Sequence, residues 1–163
     1  MIISRTRFAG MNGISLGRFV AKARRSIPIR GLVNVLVATS GEMKSLNARF
    51  RGKDETTDVL SFPTDGIDGL AGEIAISFEI AKENGEKLGH STADEIKILI
   101  LHGMLHLAGY DHENDHGEMS CEERRLREVL KLPVGLIERN NSISRPHEKP
   151  RKIKESWAAE LKR

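Results

Sequence analysis

From Ile96 to Ala108 the chain is apolar on nearly every side, its apolar residues being Ile96, Ile98, Leu99, Ile100, Leu101, Met104, Leu105, Leu107 and Ala108. Thr92-Ala93-Asp94-Glu95 precedes it in the form of a capping box, so Thr92 is expected to start a helix and Glu95 to bond back to it. A helix that is hydrophobic all round must be enclosed by other elements. The rest of the fold is therefore expected to pack around this helix and hold it rigidly.

Besides Lys97, two histidines interrupt the run. His102 and His106 are four apart, one turn above each other on the same helical face, which lets two imidazoles grip one metal ion. Gly109 can take the left-handed conformation that reverses the chain, and His112 can then swing back to complete a three-histidine site. Three protein ligands leave a fourth position for water or substrate, which is the pattern of a catalytic rather than a structural metal. The spacing His-x3-His-x2-Gly-x2-His is that of the metzincin metalloproteases, whose general-base glutamate follows the first histidine. Gly103 occupies that position here, which argues against peptide hydrolysis.

Around this centre, helices and strands alternate. A short edge strand is expected in Met1 to Arg7, and a first helix capped by Ser15 with Leu16, Phe19, Val20, Ala23 and Ile27 inward, stopped by Pro28. Leu32 to Ala38 reads as a central strand buried on both faces, and Ser40 as the cap of a second helix with Met43, Leu46 and Phe50 inward, closed by Arg51-Gly52. Further strands are expected at Val59 to Phe62 and Gly72 to Ser77, separated by a turn, then a short helix over Ile80 to Leu88. After His112 a last helix, Asp115 to Leu130, should turn Met119, Leu126, Val129 and Leu130 inward and end at Pro133. The reading is one α/β (α+β) domain, residues 1–138, with a small mixed sheet packed against helices and a metzincin-like three-histidine site. Residues 139–163 form a basic tail poor in apolar residues, with at most a helical turn near Trp157.

A chain of 163 residues can bury a real core, and it has no apolar run of membrane-spanning length and no signal-peptide pattern at its start, so a cytosolic location is expected. The single cysteine, Cys121, allows no internal disulfide. The net charge of +3 conceals an asymmetry: residues 1–53 hold eleven Lys or Arg against one acid, residues 54–138 seven against nineteen, and residues 139–163 eight against three. Basic ends beside an acidic metal-site half suit a phosphate-bearing polymer held by one surface and presented to the other. Arg24 and Arg25 on the first helix are candidates for that holding role; solvated helix faces would leave the same pattern.

The run Leu101 to His112, the stretch Leu46-Asn47-Ala48-Arg49-Phe50-Arg51-Gly52-Lys53-Asp54-Glu55-Thr56-Thr57-Asp58-Val59-Leu60-Ser61-Phe62-Pro63, and Gly72-Glu73-Ile74 together resemble the YbeY family of bacterial endoribonucleases, over roughly residues 30–132. The resemblance implies the same α/β layout and a metal-dependent, single-strand-specific endoribonuclease. Its implied role is in maturation of the 16S ribosomal RNA 3′ end and quality control of the small ribosomal subunit. The implied partners are a small-subunit ribosomal protein and the Era GTPase. It also implies that Arg51 matches the family's functional arginine. On its residues alone Arg51 is either a planar fork for a phosphate or an ordinary helix-terminal arginine.

Three neutral imidazoles would leave a bound Zn²⁺ its full charge and so favour anionic substrates, and Ni²⁺ or Cu²⁺ suit imidazole as well. Asp111 and Glu113 flank His112 and are candidates to orient a ligand ring or to take a proton. His116 is expected on the surface of the last helix, and Met119 in the core rather than as a methionine turn beneath a metal. Two other readings stay open: a ribosome-assembly factor with a structural metal, and a hydrolase of small substrates.

Overall fold

The structure, a computed structural model, describes residues 1–4 and 12–133. Four strands form one sheet in the order β1-β2-β4-β3, where β1 is Ile2–Ser4, β2 Leu32–Ala38, β3 Val59–Pro63 and β4 Leu70–Ser77. β1, β2 and β4 run parallel, and β3 pairs antiparallel with β4 and is an edge strand among the described residues. The expected mixed sheet is therefore present. The basic tail, the rest of the first strand's stretch beyond Ser4, and Trp157 lie outside the described residues.

Among the described residues five α-helices cover the sheet: α1 Gly13–Ala23, α2 Ser40–Arg51, α3 Phe78–Leu88, α4 Thr92–Leu107 and α5 Glu118–Leu130. Alternation along the strands divides the core in two. Val33, Val35, Val37, Ile74 and Ile76 face the larger cluster, with Leu16, Phe19 and Val20 of α1, seven apolar residues of α4 and the apolar inward residues of α5. Leu36, Ala38, Leu60, Phe62 and Ala75 face the other way, where Met43, Leu46 and Phe50 of α2 cover them. β2 is thus buried on both faces over most of its length, while its first residue, Leu32, is exposed. α4 lies in the middle of the larger layer, touching β3, β4, α1, α3 and α5.

Each of three helix starts falls earlier than the hydroxyl the sequence pointed to. Asn12 caps α1 by accepting from the Ser15 N–H at 3.0 Å, so Ser15 is the residue being capped. Thr39 caps α2 in a complete box, its backbone N–H donating to Glu42 Oε2 at 2.8 Å while its Oγ1 accepts from Glu42 N at 3.3 Å. Ser91, not Thr92, caps α4 by accepting from Asp94 N at 3.0 Å, and Glu95 is turned to His90 Nε2 at 2.7 Å. The cause is common to all three: the cap must have extended backbone, and among nearby polar residues the extended one takes the role.

α1 ends at Ala23, well before Pro28, although Ile27 is still buried. α5 begins at Glu118 rather than Asp115, whose carboxylate instead accepts from the backbone N–H groups of Gly117 and Met119, each at 2.8 Å. Met119, Leu126 and Leu130 are buried as expected, but Val129 is 51% exposed and does not belong to the inward stripe.

Candidate metal centre

The site starts with how closely α4 can approach the sheet. A Cβ at Gly103 would stand 2.9 Å from both Ile74 Cγ2 and Ser61 Oγ, and one at Gly72 would stand 2.8 Å from the Phe62 carbonyl and strike the Leu107 side chain. Two glycines, one on each side of the contact, let the last two turns of α4 settle directly on β3 and β4. The space where a metzincin carries its glutamate is filled by the sheet. Gly103 is therefore a packing residue, and a larger side chain there has nowhere to go.

With that face of α4 against the sheet, His102 is turned toward α5. Its Nδ1 lies 3.1 Å from Oε1 of Glu123, and both side chains are almost fully buried. His106, one turn on, has its Nδ1 3.1 Å from the Tyr110 carbonyl, which can only accept, so Nδ1 carries the proton. Oε1 of Glu123 stands against the same atom of His102, Nδ1, and the two Nε2 atoms face each other across 3.1 Å.

The turn brings in the third ring. Gly109 takes φ +95°, and the His112 ring centroid lies 5.2 Å from that of His102 and 5.3 Å from that of His106. One ligand atom from each of the three lies within 4.8 Å of the others. Burial lowers the pKa of His106, and the neighbouring His102 and His112 lower it further, to about 3, against the opposing pull of the Tyr110 carbonyl and Asp111. His106 is neutral at physiological pH. With both Nδ1 atoms protonated, the two Nε2 lone pairs would repel at this distance, and a cation would remove that repulsion. Two nitrogens on one tetrahedral ion at 2.0–2.1 Å stand about 3.3 Å apart, close to the observed spacing, so the residues present fit a metal.

The family model for Endoribonuclease YbeY matches residues 17–131. A protein of that name from Koribacter versatilis is 52% identical over 152 residues, covering 93% of this chain and 99% of its own length. Another of that name from Nautilia profundicola is 49% identical over 109 residues, 66% of this chain and 78% of its own. A solution structure of a Thermotoga maritima protein superposes with a TM-score of 0.55 at 31% identity, covering 91% of this chain and 99% of that one.

The chain belongs to the YbeY endoribonuclease family.

The YbeY match reaches back into α1 and runs to the end of α5, so it takes in every helix of the larger layer, more than the motif resemblance alone covered. The three histidines come together as their spacing predicts. Arg51 ends α2, and its Nη2 donates to the Ser61 carbonyl at 3.1 Å, with its guanidinium carbon 6.0 Å from the Phe62 ring centroid. Since Asp58 and Thr64 bond across to β4, the alternating ladder turns the Ser61 carbonyl to the free edge of β3. Ser61 also packs against Gly103, so Arg51 is anchored to the strand residue that α4 rests on.

Arg24 and Arg25 stand at the C-terminal end of α1, outside the histidine cluster. Arg24 is half-buried, and its charge adds to burial in lowering the pKa of the Met1 amino group; Arg25 is exposed. The next residue, Ser26, accepts from Arg125 Nη2 of α5 at 3.5 Å. Asp111 is held by its own loop: Oδ2 accepts from Asn114 Nδ2 at 2.6 Å and Oδ1 from Glu113 N at 3.2 Å. Burial would raise its pKa, but those bonds and the two nearby histidines bring it below the usual carboxylate range. It shapes the turn that delivers His112. His116 is exposed as expected but lies in the loop before α5 and not on it, and Met119 is core as expected.

Sequence reasoning missed Glu123. The signal was there: it falls four residues after Met119 and three before Leu126, on the inward stripe of α5, where an acid is out of place.

Proposed function

We propose that this chain is a metal-dependent endoribonuclease acting on single-stranded RNA, with Zn²⁺ as its ion. Its substrate is the 16S ribosomal RNA precursor, cut in 3′-end maturation and in quality control of the small ribosomal subunit, within the cytosol. Residues 1–138 are the catalytic domain, and the basic stretch 139–163 adds to the charge that holds RNA. Membership of the YbeY family supports the reaction class. The observation that carries the metal is the convergence of ring nitrogens from three histidines, with the Nδ1 atoms of His102 and His106 already against other partners.

Nε2 of His102 and His106, with a ring nitrogen of His112, would hold the ion. When bound, it supplies Lewis acidity for water and for a phosphate oxygen. The chain's own residues do the rest. Arg51 binds the scissile phosphate, its fork matching two phosphate oxygens while its anchoring at the β3 edge limits how far the head can move. Arg24 and Arg25 hold the flanking backbone. Among the described residues the cluster numbers three, and His106 and His112 are only half-buried. That favours a site open to a substrate over a closed structural one.

The deciding experiment offers the purified, metal-quantified protein a single-stranded RNA spanning the 16S 3′ precursor, beside Arg51→Ala and His106→Ala made identically. Cleavage that both substitutions reduce by at least a hundredfold is expected. Cleavage surviving His106→Ala would be a contaminant's, and RNA retained uncut by a metal-loaded parent would favour an assembly factor. Replacing Arg24 and Arg25 by Ala should weaken RNA binding and lower the slope of log affinity against log salt by about one for each phosphate that is no longer neutralised.

A further inference from the structure

We propose that Glu123 is a positioning residue of the metal centre, holding the His102 ring in the tautomer and orientation that aim Nε2 at the ion. This rests on the reading of the three histidines as metal ligands and adds to it a residue from a different helix. The two side chains are 6% and 2% exposed and 3.1 Å apart, so water does not compete for the contact.

Glu123 lies on a stripe formed otherwise by Met119, Leu126 and Leu130, where an apolar side chain would pack without the cost of burying a carboxylate. A buried acid is tolerated only with a partner that uses its acceptors, and His102 is such a partner. The two helical histidines are held differently. His106 takes its orienting acceptor from Tyr110, four residues away in the adjoining turn, so its geometry is set locally. His102 takes its acceptor from twenty-one residues away, and its ring is aimed only when α5 is docked. Since α5 follows the loop that carries His112, docking through Glu123 orders the first ligand and the return of the third together. Orienting acceptors of this kind change metal affinity by roughly 10–100-fold when removed.

The test measures Zn²⁺ affinity by competition with a chromophoric chelator at fixed pH and salt for the parent, Glu123→Gln and Glu123→Ala. Each change is repeated in a His102→Ala background, and thermal unfolding of every metal-free protein is recorded alongside. The expected result is a loss of about 10–100-fold for Glu123→Ala. Glu123→Gln, whose amide oxygen still accepts from Nδ1–H, should lose less, and neither change should weaken binding further once His102 is gone. Co²⁺ bound to Glu123→Ala should show an altered visible spectrum. Parent-like affinity in both variants, whether or not unfolding shifts, would make the contact merely structural and overturn the proposal. An equal loss in the His102→Ala background would also overturn it. Where Glu123→Ala does not fold, Glu123→Met, which fills the same place on the stripe and offers no oxygen acceptor, carries the test in its stead. A parent that binds no Zn²⁺ would instead sink the metal-site reading itself, a different outcome from a parent that binds and is indifferent to residue 123.

Discussion

α4 and α5 meet at the same histidines, yet they are opposite kinds of helix. α4 is apolar nearly all round, buries ten of its sixteen residues, and brings two histidines to the site as neighbours in sequence. α5 is an ordinary amphipathic helix with charged residues outward, and it brings one carboxylate that touches the site across a gap of twenty-one residues. Chemistry carried on one continuous element shows up as a motif. Chemistry carried by a second element shows up only as a residue that breaks that element's own pattern.

The sharpest way to test this account of α4 is to restore what a metzincin has. Gly103→Glu should not create a protease; it should expel α4 from the sheet, because the first side-chain atom already meets Ile74 and Ser61 at 2.9 Å and the carboxylate would be buried without a partner. The milder Gly103→Ala should cost about 1–3 kcal/mol of stability, the usual range for overpacking. Chemical denaturation of the two proteins checks this. A Gly103→Glu protein as stable as the parent would mean that the glycine answers to chemistry and not to packing.

Next in size is the effect of pH on the metal-free protein. His106 has a folded pKa of about 3 against an ordinary 6.5, so below pH 6.5 the unfolded chain takes up a proton that the folded one refuses. The contribution of His106 to stability is complete above pH 6.5 and is lost as pH falls toward 3, at up to about 1.4 kcal/mol per pH unit. Subtracting the profile of His106→Ala removes other titrating groups, among them the Met1 amino group, whose pKa is also lowered. A flat difference between pH 6.5 and 4.5 would show that the ring is more open to water than its place at the end of α4 implies.

These helices also mark how far the sequence could be read. The three histidines and the turn glycine were legible because they lie within eleven residues and need only helical geometry and a reversal. The alternation of strands and helices and the burial of β2 were legible for the same reason, since periodicity is local. The antiparallel pairing of β3 was not, because nothing in Val59–Pro63 records which neighbour it meets. The anchoring of Arg51 was hidden too: it depends on which carbonyls of β3 face outward, which the pairing with β4 decides. The shifts from Ser15 to Asn12, Ser40 to Thr39 and Thr92 to Ser91 came from choosing among nearby polar residues by type, where backbone conformation decides.

The smallest expected effect concerns α5, where the sequence went wrong in two places for one cause. At about 100° per residue, Met119, Leu126 and Leu130 centre a narrow stripe; Glu123 falls about 40° from Met119 and Val129 about 80° away on the other side. Choosing by hydrophobicity admitted Val129 and passed over Glu123, whereas choosing by angle does the reverse. Val129 is 51% exposed, so Val129→Ala should change stability by less than about 0.5 kcal/mol and leave RNA cleavage and Zn²⁺ affinity as they are. Calorimetry on that protein is a direct check on the phase of the helix. A loss of about 1 kcal/mol or more, the size typical of a buried position, would mean that α5 is rotated from the orientation described, and the contact between Glu123 and His102 would have to be given up with it.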